Sequence, residues 1–408
     1  MKNNTFLKNT FHLYLMNITK VFFPFISLIF LTRNLSKDAY GLVTYVKSII
    51  VYVQLIIDFG FLLSSTKRIV LAKTSNEVGE IVGDTIIEKL LLAIVSLVLY
   101  IGSMIYIPIM RTNVIFSLLY FLSAVSNVFI LDFLFRGLEK MQYVAIPYVV
   151  SKTLITFCTI LFVKSDQCIL MIPTFELVGN LIAIIISYYY FKSLNIKLSI
   201  TNLKNMIEDI KESGIYFISN FATTVFGAFT TVISGFYLDV SSIAVWGICM
   251  QIVNAAKAFY NPISNSLYPK MISEKNIMLV KKINIVMGFP MILGTIVVLL
   301  FSNRIMLIIG GDKYLTGGTV LKFLLPAIVF SFYSMIYGWP VLGAIGKIKQ
   351  TTATTVLVSI FQLLFILVII IFNRFSMISL AISCSLSEFL LFLFRYLIYV
   401  HFRNNFNQ

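Results

Sequence analysis

Four lysines lie well inside long apolar stretches of the sequence, where charged side chains are rare: Lys20, Lys47, Lys152 and Lys257. Two more, Lys89 and Lys322, lie close to the ends of such stretches and are expected to reach the membrane surface. If these stretches cross a membrane, each charge costs about 2.5–3.5 kcal/mol at a helix centre, so such residues usually face a wet interior. Gathered around one lumen, the four ammonium groups would hold an anion such as a phosphate. The alternative for each is a lysine whose stem packs on lipid while its amine reaches the membrane surface. Lys20 and Lys257 are the leading candidates for the lumen.

Two acids occupy comparable positions in the two halves of the chain. Glu176 and Glu388 lie 212 residues apart, each within the last apolar stretch of its half. A carboxylate at this depth could carry a proton or a sodium ion, or could serve only as the partner of a cation. Arg395 follows Glu388 by seven residues, which places both on one helical face.

The composition identifies the elements that must position these residues. The chain has 408 residues, of which 59% are hydrophobic and 12% are charged, whereas soluble domains carry about 25% charge. It is therefore an integral membrane protein, and its net charge of +15 is a signal of topology rather than of nucleic-acid binding. The four cysteines show no CxxC spacing and the two histidines lie near opposite ends, so no metal, haem or disulfide scaffold is expected.

Stretches of about 20 apolar residues predict twelve transmembrane helices. We place them at 12–32, 40–63, 86–107, 113–135, 143–163, 168–191, 214–236, 240–264, 283–303, 319–342, 351–373 and 376–400. Period-2 alternation is absent, which excludes a β-barrel and predicts an all-α fold. With the N-terminus inside, 18 Lys and Arg fall in cytoplasmic loops and 7 in outer loops. This bias predicts that both termini are cytoplasmic.

The twelve spans divide into two halves of similar length. We expect an N-terminal six-helix bundle at 1–191, a basic cytoplasmic linker at 192–213 and a C-terminal six-helix bundle at 214–408. Tyr40-Gly41 and Trp246-Gly247 open the second span of each half, as an internal duplication would predict. No loop is long enough to fold alone. Nucleophile elbows, phosphate loops and metalloprotease motifs do not occur in the sequence, so a transporter is favoured over an enzyme.

The N-terminal part of the chain resembles a known family. The stretch from Pro24 carries Leu-Thr-Arg-x-Leu, Tyr-Gly, Asp-x-Gly and Ser-x-x-Arg-Ile in order, through Leu31, Thr32, Arg33, Leu35, Tyr40, Gly41, Asp58, Gly60, Ser65, Arg68 and Ile69. This pattern resembles the O-antigen flippases of the Wzx type, in the polysaccharide-transporter branch of the MOP exporter superfamily, whose fold is MATE-like. Residues 257–271 and 311–350 look like the second half of that family.

The resemblance implies a flippase of the bacterial inner membrane. Its substrate would be an undecaprenyl-pyrophosphate-linked oligosaccharide, and its surroundings the membrane lipids. A polymerase and a chain-length regulator of the same pathway are further partners expected on this ground. No cofactor is expected, although an H⁺ or Na⁺ gradient could act through Glu176 or Glu388. The related lipid II flippases line a cavity with cations from helices one, two and eight, which here contain Lys20, Lys47 and Lys257.

Polar residues within the spans could contact the sugars of such a substrate: Asn17, Asn220, Asn254, Tyr260 and Asn261. The alternative for each is a hydrogen bond between helices. Two other functions remain open. A MATE-type drug exporter would be expected to show an acid in the first helix, where this chain has Lys20. A membrane polysaccharide polymerase or glycosyltransferase would usually carry acids on a sizeable outer loop, and the outer loops here are short.

Overall fold

The computed structural model describes residues 2–406, and this part of the chain is all-α. Its α-helices are α1 (Lys2–Asn34), α2 (Lys37–Asp58), α3 (Phe61–Leu71), α4 (Ser75–Tyr106), α5 (Pro108–Arg111), α6 (Val114–Ser126), α7 (Asp132–Gly137), α8 (Gln142–Phe162), α9 (Met171–Lys192), α10 (Leu203–Thr224), α11 (Thr230–Tyr237), α12 (Val240–Glu274), α13 (Ile277–Val286), α14 (Gly288–Gly310), α15 (Gly317–Ile336), α16 (Ile348–Ile371) and α17 (Met377–His401). Two π-helical segments, Val225–Phe229 and Tyr337–Leu342, interrupt the second half.

The transmembrane character of the chain is confirmed. Within residues 2–406, eleven segments are long and apolar enough to cross a membrane. The seventh predicted span, 214–236, falls instead on a helix pair, Leu203–Thr224 and Gly227–Tyr237, which is bent by 54° and would make a twelfth crossing. Leu300, Ile308 and Phe289 of α14 are largely exposed, as expected of side chains that face lipid rather than water.

The chain forms two compact units, one ending at Phe221 and the other beginning at Ala222. In the first unit, α8 packs against α1 and α9, and α6 packs against α2 and α9. Its buried core includes Val82, Phe133, Phe135, Val144 and Phe191. In the second unit, α15 packs against α12, α14 and α17.

The second predicted span is broken where the family-like Asp-x-Gly motif lies. Phe59 and Gly60 both adopt positive φ, of 42° and 86°, which ends α2 and starts α3 in a new direction. A Cβ on Gly60 would lie 2.6 Å from the Cβ of Tyr216 in α10. Glycine is required at this position because the backbone is left-handed and α10 passes close to it.

A kink in the second unit is held by one arginine. Gly338 departs from helical geometry, with φ of −73° and ψ of −112°, next to Pro340. The Arg395 guanidinium lies against Gly338 and donates from Nη1 to the Ser334 carbonyl at 2.7 Å. It also donates to the hydroxyls of Thr354 and Thr355, so three hydrogen bonds fix the kink to α16 and α17.

Candidate functional site

A polar cavity of about 410 Å³ lies inside the first unit. Five charged residues line it: Asp58 of α2, Lys89 of α4, Asp132 of α7, Lys152 of α8 and Glu176 of α9. Each of these residues belongs to a segment long and apolar enough to cross a membrane. Because ionised groups at such depth are costly, their convergence on one cavity is the strongest functional signal in the first unit.

Small and polar residues allow the helices around the cavity to approach closely. Asn180 of α9 donates hydrogen bonds to the Ser123 carbonyl at 2.9 Å and to the hydroxyls of Ser123 and Ser126 of α6. Gly179 faces Ile155 of α8, and a Cβ there would lie 2.5 Å from its side chain. Interhelical hydrogen bonds and small residues replace the hydrophobic effect as packing forces in lipid.

Two helix breaks border the cavity. One separates α2 from α3 at Phe59 and Gly60, and leaves Asp58 at the last turn of α2. The other is a 3-10 turn, Asn127–Phe129, followed by Asp132 at the start of α7. The sequence predicted one continuous span at 113–135. Irregular backbone at membrane depth is tolerated where it lines a polar cavity, which explains both breaks.

Two of the charged residues form an ion pair that the sequence did not reveal. Lys89 donates from Nζ to Asp58 Oδ1 at 2.9 Å. The sequence placed Lys89 among lysines that reach the membrane surface, and this interpretation is wrong because Lys89 is 6% exposed. The facing positions of the two residues depend on the packing of α2 against α4, which no sequence motif records.

The lysines predicted for the lumen differ in their surroundings. Lys47 Nζ lies 2.6 Å from Glu176 Oε1, so it approaches the cavity through an ion pair. Lys152 lines the cavity and has no ion pair or hydrogen bond within residues 2–406. Its Nζ lies 5.9 Å from the ring centroid of Tyr148, and Lys20 Nζ lies 5.5 Å from the same centroid. Tyr148, which lines the cavity, therefore has a cation–π contact with each of the two lysines, but Lys20 itself is exposed and does not line the cavity.

The second unit contains an equivalent ion pair. Lys257 Nζ of α12 lies 2.5 Å from Glu388 Oε1 of α17, and the Ser334 hydroxyl lies 3.4 Å from the other carboxylate oxygen. The first unit pairs Lys47 of its second span with Glu176 of its sixth, and the second unit repeats this arrangement. The pairing accords with an internal duplication. It also places both predicted coupling acids directly against predicted lumen lysines.

The predicted sugar contacts are not gathered in the cavity. Asn17, Asn254 and Asn261 are exposed, and Asn220 is half-buried. Tyr260 is buried, and its hydroxyl bonds to the Ser331 hydroxyl, so it joins α12 to α15. Its role as a sugar contact stays a prediction, as do those of the asparagines. The polar groups that do line the cavity include Ser151, Tyr148, Asn127 and Asn180.

Asp132 is a further residue for which the sequence gave no role. It lines the cavity and has no ion pair within the described chain, although Arg136, Lys89 and Lys20 are near enough to act on it electrostatically. The available signal was an acidic residue inside an apolar run, between Ile130-Leu131 and Phe133-Leu134. No group of three or more metal-ligating side chains occurs in the part of the chain that the structure describes.

Comparison with known proteins places the chain in a family. Residues 6–275 match the family model described as "Polysaccharide biosynthesis protein". A protein of Shigella dysenteriae named "Putative O-antigen transporter" is 28% identical over 367 residues, covering 88% of this chain and 91% of the relative. A protein of the same name from Escherichia coli strain K12 is 23% identical over 371 residues, covering 88% of each chain.

Solved structures show the same fold at low sequence identity. An inward-facing MATE family multidrug transporter of the MOP superfamily has a TM-score of 0.74 at 11% identity, covering 97% of this chain and 99% of its own. The lipid II flippase MurJ, in an inward closed conformation, has a TM-score of 0.68 at 17% identity, covering 96% and 87%. Together with the eleven apolar helices, these relatives confirm the family resemblance and the inner-membrane location. The chain is a multi-pass protein of the bacterial inner membrane and belongs to the polysaccharide biosynthesis protein family.

Proposed function

We propose that this protein moves a lipid-linked oligosaccharide across the inner membrane. The substrate is an undecaprenyl-pyrophosphate-linked O-antigen or capsular repeat unit, which passes from the cytoplasmic to the periplasmic leaflet. Family membership and the two O-antigen transporter relatives support this assignment. The observation that carries it is the charge-lined cavity inside a membrane-spanning unit.

Such a cavity addresses the main barrier to the crossing. A hydroxyl group moved into hydrocarbon without a partner costs about 4–8 kcal/mol, and an oligosaccharide carries many hydroxyls. Asn127, Asn180, Ser151 and Tyr148 offer donors and acceptors along the cavity wall. Its volume of about 410 Å³ is within the range of small-molecule sites, about 300–1,000 Å³. Part of a sugar headgroup can be solvated there while the prenyl chain stays in lipid.

The ion pairs supply a means of holding and releasing the diphosphate. Lys152 is ready to receive an anion, whereas Lys47 and Lys257 must first leave Glu176 and Glu388. Once a phosphate takes the lysine, the freed carboxylate gains a proton or a sodium ion, and this exchange links transport to an ion gradient. The membrane potential also favours export, since moving each negative charge outward releases about 2.3 kcal/mol of free energy per 100 mV.

The proposal extends to the arrangement of the helices and of the cavity. Twelve helices form two six-helix bundles, 1–191 and 214–408, joined by the cytoplasmic segment 192–213. Both termini lie in the cytoplasm, and alternating access proceeds through a cationic central cavity lined by Lys20, Lys47, Lys152 and Lys257. The polymerase and chain-length regulator of the pathway receive the product on the outer face. The mapping of 214–236 onto the bent helix pair supports the twelfth span.

A proteoliposome assay tests the function directly. Purified protein is reconstituted with a fluorescent lipid-pyrophosphate-oligosaccharide, and a membrane-impermeant quencher reports how much label reaches each leaflet. We expect protein-dependent movement with no chemical change of the lipid. A new product in the mass spectrum would assign a polymerase or glycosyltransferase instead. Export of organic cations with no movement of the labelled lipid would assign a drug exporter.

A further inference from the structure

A second cluster of charged residues lies where the segment after α9 docks on α3 and α4. Asp84 and Glu88 of α4 are fully buried, and Asp209 of α10 lies 2.5 Å from Arg68 of α3. The cluster thus contains three carboxyl groups and one guanidinium, and only Asp209 is ion-paired with that guanidinium. None of the four lines the cavity described above, so the proposed transport path does not account for them.

Two of the three acids have defined partners. Asp84 accepts hydrogen bonds from the backbone N–H and the hydroxyl of Thr201, at 2.8 and 2.7 Å. Asp209 is held by Arg68, with an Oδ2–Nη1 distance of 2.5 Å. These contacts fasten the segment that leads into α10 to α3 and α4, and each satisfies one negative charge.

Glu88 has no such partner. Its side chain is 0% exposed, and neither carboxylate oxygen accepts a hydrogen bond from any donor within residues 2–406. Asp209 lies near enough to act on it electrostatically. Two carboxyl groups can share a hydrogen bond only if one carries a proton, because ionised carboxylates are acceptors only. An unpaired ionised carboxylate in this position would be strongly destabilising.

We propose that Glu88 and Asp209 form a proton-binding site that fastens the start of α10 to α4. Glu88 carries the proton and donates it in a hydrogen bond to Asp209, which remains paired with Arg68. The other charged groups that act on the pair are Asp84 of α4 and Glu212 of α10. Both are acidic, so neither supplies a positive charge that would compensate an ionised Glu88. The proposal concerns a site outside the cavity and does not depend on which substrate is moved.

The surrounding contacts explain how loss of the proton would be transmitted. The backbone carbonyls of Lys197 and Ser199 lie directly on Gly79 and Gly83 of α4, where any Cβ would collide with them. Ser64 of α3 and Ser213 of α10 share a hydrogen bond of 2.7 Å. A second negative charge between α4 and α10 would strain these short contacts. Release of the start of α10 from α4 would therefore be the structural consequence of losing the proton.

Hydrogen exchange of the native protein in nanodiscs tests this site without any substrate. Amide exchange of residues 203–213 is measured between about pH 5 and about pH 8. This pH range lies above the ordinary pKa of a glutamate side chain. The measured rates are corrected for the intrinsic pH dependence of amide exchange. If opening of α10 releases one proton, the opening equilibrium should rise about tenfold per pH unit. Glu88→Gln should abolish this slope, because its amide donates to Asp209 at every pH. Glu208→Gln, an exposed neighbour in α10, should keep the native slope.

Two outcomes would overturn the proposal. A native profile without pH slope excludes a proton in the contact, and a slope that persists in Glu88→Gln assigns it to another group. If Glu88→Gln does not fold, infrared difference spectra of the native protein decide the matter. The band of a protonated carboxyl group should be present at neutral pH and should disappear as α10 opens. If adding Na⁺ at alkaline pH slowed the amide exchange of α10 again, the site would bind sodium instead of a proton.

Discussion

Lys47 of α2 and Glu176 of α9 form an ion pair of 2.6 Å at the wall of a cavity inside the first unit. The second unit repeats the pair with Lys257 and Glu388. Both lysines are therefore neutralised in this state, and an anionic headgroup can bind them only by displacing a carboxylate. Competition between phosphate and carboxylate for one ammonium group is the physical basis of the proposed coupling.

Reversing the charge of Lys257 should abolish transport. Lys257→Glu would place two carboxylates against each other and remove the cation offered to the substrate. Breaking a fully buried pair costs about 3–5 kcal/mol, and the cost here is smaller because the Lys257 side chain is 29% exposed. We expect the variant to reach the membrane but to lose flipping in the proteoliposome assay. Lys349→Glu, at an exposed site, is the matched control, and native activity in Lys257→Glu would refute a role in transport.

Neutralising Glu176 and Glu388 should leave lipid flipping intact but remove its coupling to an ion gradient. In Glu176→Gln and Glu388→Gln, the lysine is free to bind phosphate but no group remains to exchange a proton or sodium ion. Flipping down a substrate gradient should persist, whereas an imposed pH or Na⁺ gradient should no longer change its rate. The assay is run with and without each gradient. A variant that still responds to the gradient would show that its glutamate is not the coupling group.

Lys152 should be more important for binding than for stability. It has no ion pair or hydrogen bond among the described residues and stands in a cavity inside the membrane, so its charge weakens the empty protein. Lys152→Gln should leave the melting temperature in detergent unchanged or higher. Binding of the lipid-pyrophosphate should weaken by about tenfold or more, which corresponds to about 1.4 kcal/mol. A lower melting temperature with unchanged binding would assign Lys152 a structural role.

Gly60 should be sensitive to the smallest substitution. Gly60→Ala imposes a left-handed conformation of φ 86° on an L residue and drives its Cβ against Tyr216. Left-handed geometry alone costs about 1–2 kcal/mol, and the collision adds to this. Thermal unfolding in detergent should show a clear decrease in stability. Gly102→Ala is the control, because no atom lies within 4 Å of its added Cβ, and an equal effect at both positions would contradict the explanation.

Arg395 should be irreplaceable by lysine. Its guanidinium bonds at once to the Ser334 carbonyl, Thr354 and Thr355, and a single ammonium group cannot reproduce that planar geometry. Arg395→Lys should lower stability, since hydrogen bonds to charged groups contribute about 1.5–3 kcal/mol each. Melting temperature is the measurement. Arg304→Lys, at an exposed position of α14, should have little effect. Retention of native stability in Arg395→Lys would show that the kink at Gly338 does not depend on the planar guanidinium group.

The sequence alone was sufficient for the fold class and for the family. Long apolar runs can be satisfied in a membrane only as helices, so eleven of the predicted spans coincide with helices of the structure. The motif around Asp58 and Gly60 identified the polysaccharide family because its residues are close together along the chain. The position of Lys47, Lys152, Glu176 and Glu388 within apolar spans also followed from the sequence, since it requires only the residues around each of them.

Only the tertiary structure decided which of these charges meet. Lys89 and Asp58 pair across α2 and α4, and Arg68 of α3 pairs with Asp209 of α10, more than a hundred residues later in the chain. Helix rotation and tilt set such contacts, and a helix that is apolar on nearly every face gives no periodicity from which rotation could be inferred. The position of a charged residue along one span can be read from the sequence of that span. Which charged residues pair depends on how two helices pack against each other, and the sequence pattern does not contain that information.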